Sequence, residues 1–88
     1  MTYQVPEYVR TSRDVDGAIL FDVMHGAMFD LNDVAARIWD AVCRGHSESE
    51  IVDLLHAAFP AAPVEIVADD VRATLEDLRL KGVLLGQH

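Results

Sequence analysis

Between Ala27 and Asn32 polar and apolar positions alternate. Phe29 and Leu31 fall on one face of an extended segment, Met28 and Asp30 on the other, the pattern of a half-buried strand. His25-Gly26 before it is a turn signal, and Asn32 after it is a good helix N-cap. Two extended segments precede it. Tyr8 to Arg13 has β character, and Pro6 just ahead suits an edge strand or its entrance. Ala18 to Val23 is a compact apolar run that predicts the centre of a sheet, and Asp16-Gly17 between the two is a strong hairpin signal. The pattern predicts a three-stranded antiparallel meander whose first and last strands are edges.

From Asn32 onward the period changes to that of a helix. Val34, Ala35, Ile38, Trp39 and Val42 form one apolar stripe, with Gly45 placed just past the helix end. Ser47-Glu-Ser-Glu50 matches a capping box, and Ile51, Leu54, Leu55 and Ala58 follow at spacings of a short amphipathic helix. Pro60-Ala-Ala-Pro63 stops that helix, and Pro63 suits the first turn of the next. The third and longest helix is predicted over about Val64 to Lys81. Val64, Val67, Val71, Leu75 and Leu78 lie on its core face, Gly82 closes it, and Val83 to Leu85 packs back. The expectation is an α+β domain over residues 1–88, a three-stranded antiparallel sheet followed by three helices in a winged helix-turn-helix arrangement.

Composition narrows the function. Eighty-eight residues, about half of them hydrophobic, make one modest core, and a deep enclosed active site is hard to build at this size. The net charge of −8, with seven basic residues against fifteen acidic ones, opposes binding to nucleic acid phosphates and to anionic membranes. It favours a neutral or basic partner. Residues 1–7 have neither the basic region nor the apolar segment of a secretory signal. No apolar run approaches the roughly 20 residues of a membrane span. With the single cysteine, Cys43, these points make the cytoplasm the expected location.

Candidate catalytic chemistry is sparse. His25, His46, His56 and His88 form no i, i+4 pair and no metal-binding spacing, so they read as solvated surface groups. Cys43 reads as a half-buried thiol without an activating neighbourhood. Asp69-Asp70 and Glu76-Asp77 cannot converge, because adjacent helical residues diverge by about 100°, and they read as a solvated acidic face. The sequence predicts no enzyme activity, no cofactor and no metal.

The unpaired edge of the 27–31 strand is the stronger candidate, since its N–H and C=O groups can template an extended peptide. On the third helix, Asp70, Thr74 and Asp77 share one border of the core face, and Ala68, Arg72 and Arg79 share the other. Either border could meet the strand. If the acidic one does, a bound segment pairs its backbone with residues 28–31, rests apolar side chains on Met28, Val67 and Val71, and sets Lys or Arg near Asp30, Asp70 or Asp77.

A family resemblance enters here. Asp16-Gly17, Leu20-Phe-Asp22, Gly26, Phe29-Asp-Leu-Asn32, Ala35 or Ala36, Ile38-Trp39, Gly45, Ile51, Asp70-Val71, Leu75, Leu78 and Gly82 follow one another in an order that resembles the PqqD-like family. These are precursor-recognition domains for ribosomally made, post-translationally modified peptides. The resemblance spans about Val9 to Leu85. It departs from the pattern at Thr74, where a bulkier apolar residue is expected. It implies non-catalytic binding of a precursor's leader segment as a fourth strand. That role falls on Ala27, Met28, Phe29, Asp30 and Leu31, and on Val67, Asp70, Val71, Thr74 and Asp77 of the third helix. It further implies a monomer or weak dimer that presents the leader to a separate cysteine protease and a cyclase, as in lasso-peptide pathways. The same shape also serves quinone-cofactor and radical-enzyme pathways. The rival readings are a winged-helix DNA-binding regulator, which the poorly basic second helix disfavours, and an assembly subunit whose strand edge pairs with a second copy.

Overall fold

The computed structural model describes residues 3–86, in the order β1 (Val9–Asp14), β2 (Gly17–Asp22), β3 (Ala27–Asn32), α1 (Asp33–Cys43), α2 (Glu48–Ala58) and α3 (Val64–Leu80). The strands form one antiparallel sheet in the order β1-β2-β3. The register pairs Val9 with Asp22 and Asp14 with Gly17 on one side of β2, and Gly17 with Asn32 and Asp22 with Ala27 on the other. The α+β meander and the three helices are therefore where the hydrophobic periods place them, with β1 and β2 each offset by about a residue from the expected ranges.

The hairpin between β1 and β2 forms for a different reason than the Asp-Gly pair suggests. Val15 and Asp16 make the turn, no described residue other than glycine has positive φ, and Gly17 is already the first residue of β2. A Cβ at Gly17 would overlap the carbonyl oxygen of Leu31. Gly17 is required because β3 passes too close for any side chain.

One face of the sheet is covered by the helices. Leu20 on β2, Ile38 and Trp39 on α1, Ile51 on α2, and Val71 and Leu78 on α3 are almost wholly buried, and each such side chain contributes about 1.5–3 kcal/mol by leaving water. The Trp39 indole N–H donates to the Thr11 hydroxyl of β1 at 2.9 Å, which ties α1 across the sheet and satisfies the one polar atom of its largest core residue. Ala36 and Ala41 are also buried and let α1 lie close. Three positions of the expected stripes face water instead: Val64 is 41% exposed, Leu54 48%, and Ala58 is exposed as well. Val64 begins α3 beyond the edge of the core, and Leu54 and Ala58 line an open groove between α2 and α1.

The helix ends are built as their capping residues dictate. The Asn32 side chain accepts from the Ala35 amide at 2.8 Å, and Ser47 and Glu50 complete a reciprocal capping box. Pro63 stands at the N-cap of α3, one place earlier than expected, and its carbonyl accepts from Ile66 and Val67 at 3.1 Å. At the other end Gly82 has φ +80°, its amide bonds Arg79 and the next amide, of Val83, bonds Leu78. This left-handed closure turns the chain so that Val83 and Leu84 enter the core, and Leu85 bridges to Gln4. Gly17→Ala should destabilise the fold by roughly 2–4 kcal/mol through the forced separation of β2 and β3. Gly86→Ala, whose Cβ meets nothing within 4 Å, should stay within about 0.5 kcal/mol. Chemical denaturation of the two variants measures the contrast.

Candidate functional site

The outer edge of β3 carries the backbone groups that nothing in the described chain pairs. The Val23 amide donates to the Tyr8 carbonyl at 3.0 Å, so Tyr8 and Val23 form a hydrogen-bonded pair. Alternation along antiparallel strands then makes 10 with 21, 12 with 19 and 14 with 17 the bonded pairs on that side of β2. On its other side the bonded pairs are 18 with 31, 20 with 29 and 22 with 27. Phe29 and Leu31 therefore spend their amides and carbonyls on β2. Met28 and Asp30 direct theirs outward.

Beside that edge lies a groove of about 540 Å³ between β3, the start of α1 and the length of α3. Asp30, Leu31 and Asn32 form one wall, Val34 and Ala35 the end, and Asp70, Ala73, Thr74, Asp77, Leu78 and Lys81 the other wall. The border of α3 that meets the strand is thus the one bearing Asp70, Thr74 and Asp77. Arg72 and Arg79 on the opposite border pair with Asp69 and Glu76 on the helix surface.

Other expected site residues lie elsewhere. Val67 and Val71 are 5% and 0% exposed and belong to the core; three helices packing on one sheet face consume them, so they do not floor the groove. Ala73 and Leu78 supply that apolar surface, with Val34 and Ala35 from α1. Ala27 and Phe29 are half-buried and do not line the groove either, and the Met28 side chain is exposed on the opposite face of the sheet. Strand alternation separates Met28 from anything on the α3 side. Lys81 is the groove residue that periodicity could have found, since it continues the 70, 74, 77 row at helical spacing. Its ammonium donates to Asp77 at 2.7 Å and lies 5.6 Å from the centre of the Phe29 ring, spanning from the end of α3 to β3. The α3 wall of the groove thus carries the Asp70 and Asp77 carboxylates against the Lys81 ammonium, while Asp30 borders the groove at the strand edge with its side chain on the Met28 face.

The turn that presents β3 is fixed by a buried carboxylate. Asp22 accepts from the His25 amide at 2.9 Å and lies 2.7 Å from the His25 ring nitrogen Nδ1. Tyr8 packs edge-on against the same ring. His25 is therefore a structural partner rather than a merely solvated group, and His46 approaches Glu50 at 3.7 Å; His88 lies outside the described residues. Burial pushes the Asp22 carboxyl upward, but hydrogen bonds from the His25 amide and ring and the His25 charge outweigh it, leaving the group below the usual carboxylate range. Cys43 is exposed at the end of α1 rather than half-buried, and desolvation and the nearby Asp40 raise its thiol above the ordinary value. Among the described residues no three His, Cys, Asp or Glu side chains cluster as a metal site, and no helix is long and apolar enough to cross a membrane.

A three-stranded meander followed by three helices is an architecture this chain shares with solved proteins. The family described as coenzyme PQQ synthesis protein D (PqqD) matches residues 17–84, and the chain belongs to that family. One similar structure, described as "TbiB1 in Complex with the TbiA(beta) Leader Peptide", is 28% identical, with a TM-score of 0.88 over 100% of this chain and 99% of that one. A second, "Lasso peptide synthetase B1 complexed with the leader peptide", shares the fold at 22% identity, with a TM-score of 0.87 over 98% of this chain and 100% of that one. No curated protein matches the chain.

Because the folded Asp22 carboxyl lies below its unfolded value, its stabilising contribution is complete at neutral pH. It is lost as the pH falls below about 3.9 toward the folded value. Asp22→Asn should lower stability to denaturant at pH 7, and the gap between variant and parent should narrow on acidification. Denaturation curves at pH 7 and pH 3 check both halves.

Proposed function

We propose that the protein is a non-catalytic module that grips the leader segment of a ribosomally synthesised precursor peptide as a fourth strand on β3. It holds the leader beside α3 for a separate leader protease and a cyclase, as in lasso-peptide biosynthesis. The carrying observation is the outward backbone of Met28 and Asp30 beside an open groove of about 540 Å³. An extended segment laid there gains main-chain hydrogen bonds along one side. Its alternate side chains drop between Leu31, Ala73, Thr74 and Leu78, and the others stand on the outer face near Met28. Asp30, Asp70 and Asp77 favour Lys or Arg on the incoming segment. Thr74 widens the groove and makes it more polar than a bulky apolar residue would, which suits a smaller or hydrogen-bonding leader side chain there.

Family membership and the full-length likeness to a 28% identical protein solved with a leader peptide support the reading. So does the surface itself, with an open strand edge beside a groove. Within the strand 27–31 the binding groups are then the outward backbone of Met28 and Asp30, held in place by Ala27, Phe29 and Leu31, with Asp70, Thr74 and Asp77 as side-chain contacts. Val67 and Val71 act only by supporting α3 from behind. The protein works in the cytoplasm as a monomer or weak dimer, without a cofactor.

The test is titration of the purified protein with labelled candidate leader peptides, followed by fluorescence anisotropy. The parent should bind saturably. Asp30→Pro removes one outward N–H and should weaken binding about tenfold, the worth of one hydrogen bond at roughly 1.4 kcal/mol, while the helical circular dichroism stays unchanged. Unaltered affinity in that folded variant would contradict strand addition. Asp70→Lys and Asp77→Lys should weaken a leader with a basic residue at the matching place, and added salt should do the same to the parent.

A further inference from the structure

A second groove, of about 360 Å³, lies between the β1–β2 turn, α1 and α2. Along α1 its lining residues Asp33, Arg37, Asp40, Ala41 and Arg44 stand roughly 130° around the helix from Val34 and Ala35, which line the leader groove. The two grooves open on different sides of the molecule. Their charge also differs. In a chain with seven basic residues, three guanidiniums line this groove: Arg13 from β1, Arg37 from α1 and Arg44 from the residue that caps the end of α1. Arg13 pairs with Asp40 at 3.0 Å and Arg37 with Asp33 at 3.2 Å, while Arg44 has no ion pair among the described residues. Arg37 also lies over the Phe59 ring at 5.3 Å.

The apolar groups of this groove are not arranged as a finished core. Ala41, Ile51 and Leu55 make a buried floor, but Leu54 and Ala58 of the same lining remain exposed. Val15, at the turn, is 86% exposed. Neither Val15 nor Asp16 has positive φ, so the turn tolerates a valine, whose side chain is left in water.

We propose that this groove is a second docking surface, which takes a carboxylate-rich amphipathic helical segment of a protein partner. An aliphatic side chain of that segment enters between Val15, Leu54 and Ala58, and its Asp or Glu residues meet Arg44 and compete with Asp33 and Asp40 for Arg37 and Arg13. Bidentate pairing of guanidinium with carboxylate supplies the specificity. This surface is independent of leader binding and leaves the β3 edge open, so the protein can hold a basic extended segment on one side and an acidic helical one on the other.

The probes are two synthetic twelve-residue peptides with leucines one helical turn apart, flanked in one by glutamates and in the other by lysines. Each is titrated into the isotopically labelled full chain and followed by NMR. The glutamate peptide should bind saturably, with shifts confined to the β1–β2 turn, α1 and α2. Arg44→Glu and Leu54→Ser, both exposed, should each weaken it about tenfold or more, equivalent to roughly 1.4 kcal/mol. The Asp30→Pro variant should bind it as well as the parent does, so that failure here and failure of the leader reading are told apart. The proposal is overturned by absence of saturable shifts, by equal binding of the lysine peptide, by shifts that fall along β3 and α3, or by concentration-dependent self-association that Arg44→Glu abolishes.

Discussion

A main-chain amide or carbonyl must be paired by protein or by water, and the outward groups of Met28 and Asp30 are left to water. The rest of the molecule can be understood as the support for that unfinished row. β2 is spent on both sides, β1 and β3 are held to it in fixed register, and the hairpin between β2 and β3 is clamped by Asp22 and His25. Trp39 bonds Thr11 and fixes α1, which grows directly out of β3 at Asn32. The strand is rigidly presented because both of its ends are anchored.

The two edges of the sheet are not equivalent. β1 reads Val-Arg-Thr-Ser-Arg-Asp, and charged side chains of that kind make an edge a poor template for another strand. Arg10 and Arg13 additionally bond to backbone carbonyls nearby. β3 reads Ala-Met-Phe-Asp-Leu-Asn, without lysine or proline, and α3 stands off from it far enough to leave a groove. One edge is blunted and the other is open but walled on one side, which admits a single extended segment better than it admits the broad edge of another folded sheet.

The alternation at Phe29 and Leu31, the Asn32 cap, the Ser47–Glu50 box and the acidic row on α3 are local patterns, and each is present in the structure as the sequence implies. What escaped was decided by packing between distant segments. Val67 and Val71 share a helical face with groove residues, and only the crossing of three helices over one sheet face shows that they are covered. Gly17 looked like a turn residue, yet its neighbour in space is Leu31. The groove that Arg13 shares with Arg37 and Arg44 joins a strand to a helix and its cap across a long gap in sequence, inside a chain whose net charge points the other way. Lys81, by contrast, followed the row already read on α3 and was within reach of the same geometry.

Backbone amide hydrogen exchange along β3, measured by NMR on the free protein and with its leader bound, reaches the central claim most directly. Phe29 and Leu31 should exchange slowly in both states, because β2 already holds them. Met28 and Asp30 should exchange fast in the free protein and become protected when the leader is bound. Slow exchange of Met28 and Asp30 in the free monomer, or no gain in protection at saturating leader, would contradict the account.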